Sequence, residues 1–152
     1  MKSIVCLVAL LLLAPTLLVA QAEPRVALVA SHDAPGALSA ERLNRCLYRL
    51  AREWNLPEDK LPHIVVFHVS KRVADTAFID DTLAVRRSAN QRSGAEYYEV
   101  WLVGSPEGKY ELGLQNVLEY HFQLTPTDEQ RTKILAKVER QEEDVFDVHE
   151  GK

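Results

Sequence analysis

From Ile4 to Ala20 the chain carries no charged residue, and nowhere after Ala22 does it run apolar for so long. Beyond that point apolar and polar positions alternate with recognisable periods. Leu43, Cys46, Leu47, Leu50 and Trp54 recur at helical spacing and predict one amphipathic helix. Ser39 is placed to cap it, Glu41 lies in its first turn, and Asn55 and Pro57 mark its end. Arg25 to Ala30 reads as a short apolar strand, followed by turn formers from Ser31 to Gly36. His63 to Val69 is a second strand, with Ile64 and Val66 on one face and Val65, Phe67 and Val69 on the other. Apolar residues on both faces predict a central, covered strand.

Ser70 is placed to cap a short helix through Ile79, with Val73, Ala74, Ala77 and Phe78 facing inward. Thr82 to Arg87 and Glu96 to Val103 predict a hairpin joined by the polar stretch Ser88 to Ala95, which holds Gly94. Ser105-Pro106-Glu107 has the order of an N-cap, a first-turn proline and an acid, so a helix is expected to start there. Tyr110, Leu114, Val117, Leu118 and His121 form its inward stripe, and Pro126 closes it. Thr127 and Gln130 have the spacing of a capping box for a last helix, whose apolar positions are Ile134, Leu135 and Val138. The order β-α-β-α-β-β-α-α predicts an α+β domain with a small mixed or antiparallel sheet and packed helices.

The apolar opening has the three parts of a secretory signal. Lys2 precedes the run, and Ala20-Gln21-Ala22 puts small residues where a signal peptidase reads. A membrane anchor is the rival reading, but Pro15 interrupts the run and no basic cluster follows it. The expected organisation is therefore a signal peptide over 1–22, one domain over 23–145, and an acidic, frayed tail over 146–152. The mature chain is expected to be exported, periplasmic or secreted, with no membrane attachment after cleavage. Cys46 is then the single cysteine, so no internal disulfide can form. Asn44, Asn55, Asn90 and Asn116 all lack the downstream hydroxyl of a glycosylation site. Together these favour a bacterial exported protein.

Charge and motifs narrow the function classes. The chain holds 18 basic and 22 acidic side chains, a net charge of −4, and loses Lys2 with the leader. Such a chain lacks the basic surplus that nucleic-acid binding needs. CxxC, HExxH, GxSxG and phosphate-loop patterns are all missing from the sequence, so no cofactor is expected. Cys46 lies mid-stripe on its helix, where a free cysteine behaves as a small buried hydrophobe. His63 and His68 are five apart and face opposite sides of a strand.

Arg42, Arg45, Arg49 and Arg52 recur at spacings of three, four and three along the first helix. They form a candidate surface for a protein or acidic ligand. The plainer reading is a solvated ridge with local pairs Glu41–Arg45 and Arg49–Glu53.

Residues Leu38 to Ala136 resemble secreted zincin-like peptidases of the peptidase-MA type. A long helix ends in a Leu-Pro segment, and Pro62-His63-Ile64-Val65-Val66-Phe67 follows as a strand. A short helix and a hairpin come next, then the helix that bears the zinc motif in the family. In the family that helix reads Val-Leu-Ala-His-Glu-Leu-Thr-His. Here it reads Val117-Leu118-Glu119-Tyr120-His121-Phe122-Gln123-Leu124. Aligned on the Val-Leu pair, Tyr120 and Leu124 replace the zinc histidines and His121 replaces the general base. The resemblance thus implies a degenerate zincin-like domain, with Tyr120 and His121 as the polar residues at the former centre.

The expected function is a non-catalytic binding or interaction module. The alternative is a hydrolase or metal-binding protein with an unrecognised site. An enzyme should show a concave pocket with convergent polar groups. A module should show an apolar patch or groove.

Overall fold

A computed structural model of the chain describes residues 22–150, without the side chains of 146–150. The expected signal peptide lies outside the described residues, apart from Ala22. Eight regular elements follow: β1 (Val26–Ala30), α1 (Ala40–Glu53), β2 (Ile64–Val69), α2 (Lys71–Thr76), β3 (Leu83–Ala89), β4 (Glu96–Val103), α3 (Lys109–Phe122) and α4 (Asp128–Glu150). The strands form one mixed sheet in the order β1-β2-β4-β3. β1 and β4 pair parallel to β2, and β3 returns antiparallel along β4. This is the α+β architecture that the pattern predicts, with the sheet mixed.

The helical stripes decide the packing. Leu43, Cys46, Leu47 and Leu50 from α1 are fully buried with Leu114, Val117 and Leu118 from α3. They close over Ile64, Val66, Val100 and Leu102 from the sheet. Asn44 fastens α1 to β1. Its Oδ1 accepts from the backbone N–H of Arg25 (2.7 Å) and Val26 (2.9 Å), and its Nδ2 donates to the Val26 carbonyl (2.8 Å). α3 lies unusually near the sheet at Gly113. A Cβ there would sit 2.7 Å from Cγ1 of Val100 and 3.1 Å from Cδ1 of Leu83. α4 packs outside α1 and α3 through Val138, Ile134 and Leu135.

The other face of the sheet is covered only at one end. There α2 and Ile79 bury Val69, Ala74 and Val103 against Phe67 and Trp101. Those two rings stack with centroids 4.3 Å apart. Val29 on the same face stays half exposed, so β2 is covered fully on one side and partly on the other.

Helix ends follow local chemistry. Asn55, Phe78 and Gln123 each adopt a left-handed conformation (φ 53°, 57° and 54°). The residue after each donates back into the last turn: Leu56 to Ala51 at 2.8 Å, Ile79 to Ala74 at 3.0 Å, and Leu124 to Glu119 at 2.9 Å. These are Schellman-type closures, which satisfy orphan carbonyls. Asn55 is the expected stop. Phe78 is a correction: α2 ends at Thr76, and the reversal sends Ile79 inward and leaves Phe78 88% exposed. The start of α3 also differs from expectation. Regular helix begins at Lys109, after Gly108 at φ 71°, while the Pro106 carbonyl accepts from Lys109 and Tyr110. Ser105 spends its hydroxyl on the Glu107 carboxylate instead of on a backbone N–H. The capping box of α4 forms as read, with Thr127 and Gln130 exchanging bonds at 2.9 and 3.2 Å.

Candidate functional site

A cleft of about 960 Å³ opens where the C-terminal end of α3 passes the hairpin end of β3 and β4. It lies within the size range of small-molecule sites. Each wall has a simple origin. Leu83, Val85 and Arg87 share the inward side of β3, as Tyr98, Val100 and Leu102 share that of β4. The helices cover the apolar members of both series. At the open end Arg87 and Tyr98, paired in register, are left facing the cleft. From the other side Asn116, Glu119, Tyr120 and His121 come off α3, and its closure adds Gln123, Leu124 and Thr125. His63, just before β2, completes the rim. A smaller recess of about 360 Å³ continues beside Val85, Arg87, Tyr98, Asn116 and Tyr120.

The side chains are held by one another. The Tyr98 hydroxyl lies 3.1 Å from Nδ1 of His121. The Tyr98 ring meets those of Tyr120 and His121 edge to face, at 6.0 and 5.7 Å. Arg87 donates to Glu96 across the strand pair. Glu119 accepts from Arg131 of α4 through two guanidinium nitrogens, at 2.6 and 3.0 Å. Burial, the larger cause, pushes the Tyr98 phenol above its ordinary range, and Arg87 pulls it back. The hydrogen bond to Glu96 raises Arg87 further, with Tyr120 adding to it. A phenol held protonated beside an imidazole can donate or accept toward a bound molecule.

Tyr120 and His121, the polar positions read from the helix sequence, therefore both lie on the cleft. His121 is exposed at its rim, because the buried stripe of α3 stops at Leu118. Leu124 is on the same wall. His63, Arg87, Glu96, Tyr98 and Asn116 escape sequence reading. Only Arg87 carries a signal, as a charge in the inward series of a strand. His68 is buried and bonds the Gly104 carbonyl at 2.9 Å. Among the described residues, no three His, Cys, Asp or Glu side chains are placed to share a metal ion.

The arginine ridge lies elsewhere, and most of it is turned inward. Glu142 of α4, 1% exposed, receives Arg49 at 2.6 Å and Arg45 at 3.3 Å, with Arg42 at 3.7 Å. Arg52 pairs with Glu58 at 2.9 Å. The acidic group that meets Arg42, Arg45 and Arg49 is thus the chain's own. The local pair Glu41–Arg45 forms at 3.6 Å, but Glu53 is taken by Lys137 instead of Arg49. Glu142 lies nearly out of water, so its attraction to the guanidinium is screened less than that of the helical neighbour Glu53. Cys46 is fully buried among these elements, and that burial drives its thiol well above the ordinary range. Among the described residues, no helix is long and apolar enough to cross a membrane.

No family model matches the chain, and neither a curated protein nor a solved structure does.

Proposed function

We propose that the chain is an exported, non-catalytic binding domain whose ligand occupies the cleft between the end of α3 and the β3–β4 pair. The convergence of Arg87, Tyr98, Tyr120 and His121 on one concave wall carries the place of the ligand. Such a wall is also what the hydrolase alternative calls for, and the non-catalytic part of the reading rests on Tyr120 and Leu124 standing at the two zinc-histidine positions of the resemblance. Native mass spectrometry of protein from the exporting host tests it. A retained small molecule, lost in Tyr120→Ala, is the expected result; a retained molecule indifferent to that change would overturn it. Export rests on the Ile4–Ala20 run and Ala20-Gln21-Ala22. N-terminal sequencing should begin at Glu23, and an intact Met1 form in the membrane fraction would defeat it.

The zincin-like resemblance belongs to the same proposal. Its support is the element order, together with the place of Tyr120, His121 and Leu124 on one wall. A zinc site needs three or four converging donors; on this wall His63 and His121 are two, and the carboxylates Glu96 and Glu119 are bound to Arg87 and Arg131. The domain is read as a degenerate relative that takes up no stoichiometric zinc. Metal analysis after dialysis against trace zinc checks this. One tight zinc per chain, lost in His121→Ala, would favour the hydrolase or metal-binding alternative.

A further inference from the structure

We infer that the molecule taken by the cleft is uncharged and rich in hydroxyl groups, a saccharide unit. This rests on the cleft being the binding site. The argument starts from charge. Apart from its histidines, the cleft wall carries three formally charged side chains: Arg87, Glu96 and Glu119. Each is already matched inside the chain, Arg87 with Glu96 and Glu119 with Arg131. A ligand carboxylate or phosphate would have to draw Arg87 away from Glu96 while lying near two carboxylates of its own sign. A ligand cation would face the reverse problem. A neutral ligand leaves every pair intact.

The rest of the wall offers groups that both donate and accept. Tyr98, Tyr120 and Thr125 carry hydroxyls, Asn116 and Gln123 carry amides, and His63 and His121 carry imidazoles. A sugar hydroxyl is also donor and acceptor at once, so it fits such a set in either direction. Matched ion pairs add fixed acceptors and donors without adding net charge. The remaining surface of a sugar is a face of C–H groups, which needs an exposed ring whose electron-rich side can meet it. Tyr120 is 64% exposed and stands at 76° to Tyr98, which fixes its tilt from behind.

The test titrates the full mature chain by calorimetry with four probes: chitotetraose, cellotetraose, tetragalacturonate and a neutral Ser-Thr-Ala peptide. Each is run at pH 8, above the ordinary imidazole pKa of about 6.5, and again at pH 5.5. At least one neutral oligosaccharide should bind saturably at pH 8. Its affinity should change less than about twofold between 50 and 500 mM salt, because no exposed charge is recruited. Tyr120→Ala, an exposed position that leaves the core alone, should weaken it about tenfold or more, with an unchanged melting curve. Arg52→Ala on the distant ridge should leave it unchanged.

Binding by tetragalacturonate alone at either pH, weakened by salt, would overturn the inference in favour of an anion. Binding by the peptide alone would overturn it in favour of a polypeptide. Should no probe bind while a co-purified molecule that is not a saccharide is lost in Tyr120→Ala, the saccharide class fails and the cleft reading stands. Oligosaccharide binding indifferent to both Tyr120→Ala and His121→Ala would place the ligand elsewhere and sink the cleft reading.

Discussion

Glu111 is a carboxylate 5% exposed on the buried side of α3, beside the Arg42–Tyr110 contact. Desolvation, the largest cause, raises its carboxyl above the ordinary value of 4.5, and Glu139 adds to the rise. Its own backbone, Tyr110 and Arg42 pull the other way. Between 4.5 and the raised value the folded chain binds more protons than the unfolded one. Stability therefore falls as pH rises through that window, and the penalty is complete above it. Glu111→Gln should remove the slope. Melting temperatures at pH 4, 5.5, 7 and 8 should show the variant above the parent at pH 7 and close to it at pH 4. Parallel curves would show that Glu111 is not the group responsible. Glu142 is a buried carboxylate surrounded by guanidinium groups. Glu142→Ala leaves Arg45 and Arg49 partly buried without that partner. The cost expected in urea unfolding is about 3–5 kcal/mol, the range for breaking a buried pair from one side.

Among the helices, the three left-handed closures differ in how willingly their residue adopts the conformation. Asn does so readily, while an aromatic residue does not. Phe78→Gly should therefore stabilise the chain by up to about 1 kcal/mol, since the ring is exposed and little packing is lost. A lower denaturation midpoint would mean that the Phe78 ring contributes more than its exposure implies. These same ends mark what sequence reading can reach. The stripe Leu43–Leu50 and the box Thr127–Gln130 are legible because period and capping chemistry are local. The end of α2 is not legible because Val73, Ala74, Ala77 and Phe78 keep helical spacing past the true stop. Nothing local says that Ile79 has a better burial site against Val69 and Val103. The start of α3 shifted because Gly108 supplies a left-handed step that Ser105-Pro106 does not announce. The arginine spacing was legible, but its partner Glu142 is nearly a hundred residues away in sequence.

At the scale of the molecule, the cleft was largely hidden from sequence for the same reason. Its residues come from before β2, from β3 and β4, and from the end of α3, and only the sheet order brings them together. Tyr120 and His121 could be named from one helix, but their neighbours could not. The distance between the two walls is fixed by how near α3 lies to the sheet, and that is set at Gly113. The missing methyl there works as a fulcrum. Tyr120 lies seven residues further on, about 10 Å along a stiff rod. A side chain at the pivot must push against Val100, a branched and fully buried residue with nowhere to retreat. Gly113→Ala should lower stability by about 1–3 kcal/mol, the usual cost of overfilling a core. It should also weaken ligand binding, although every side chain that lines the cleft is unchanged. Thermal melts and a titration of the same variant measure both effects. If stability falls while affinity holds, the helix yields at the pivot instead of swinging, and the gap between the walls is set closer to the cleft itself.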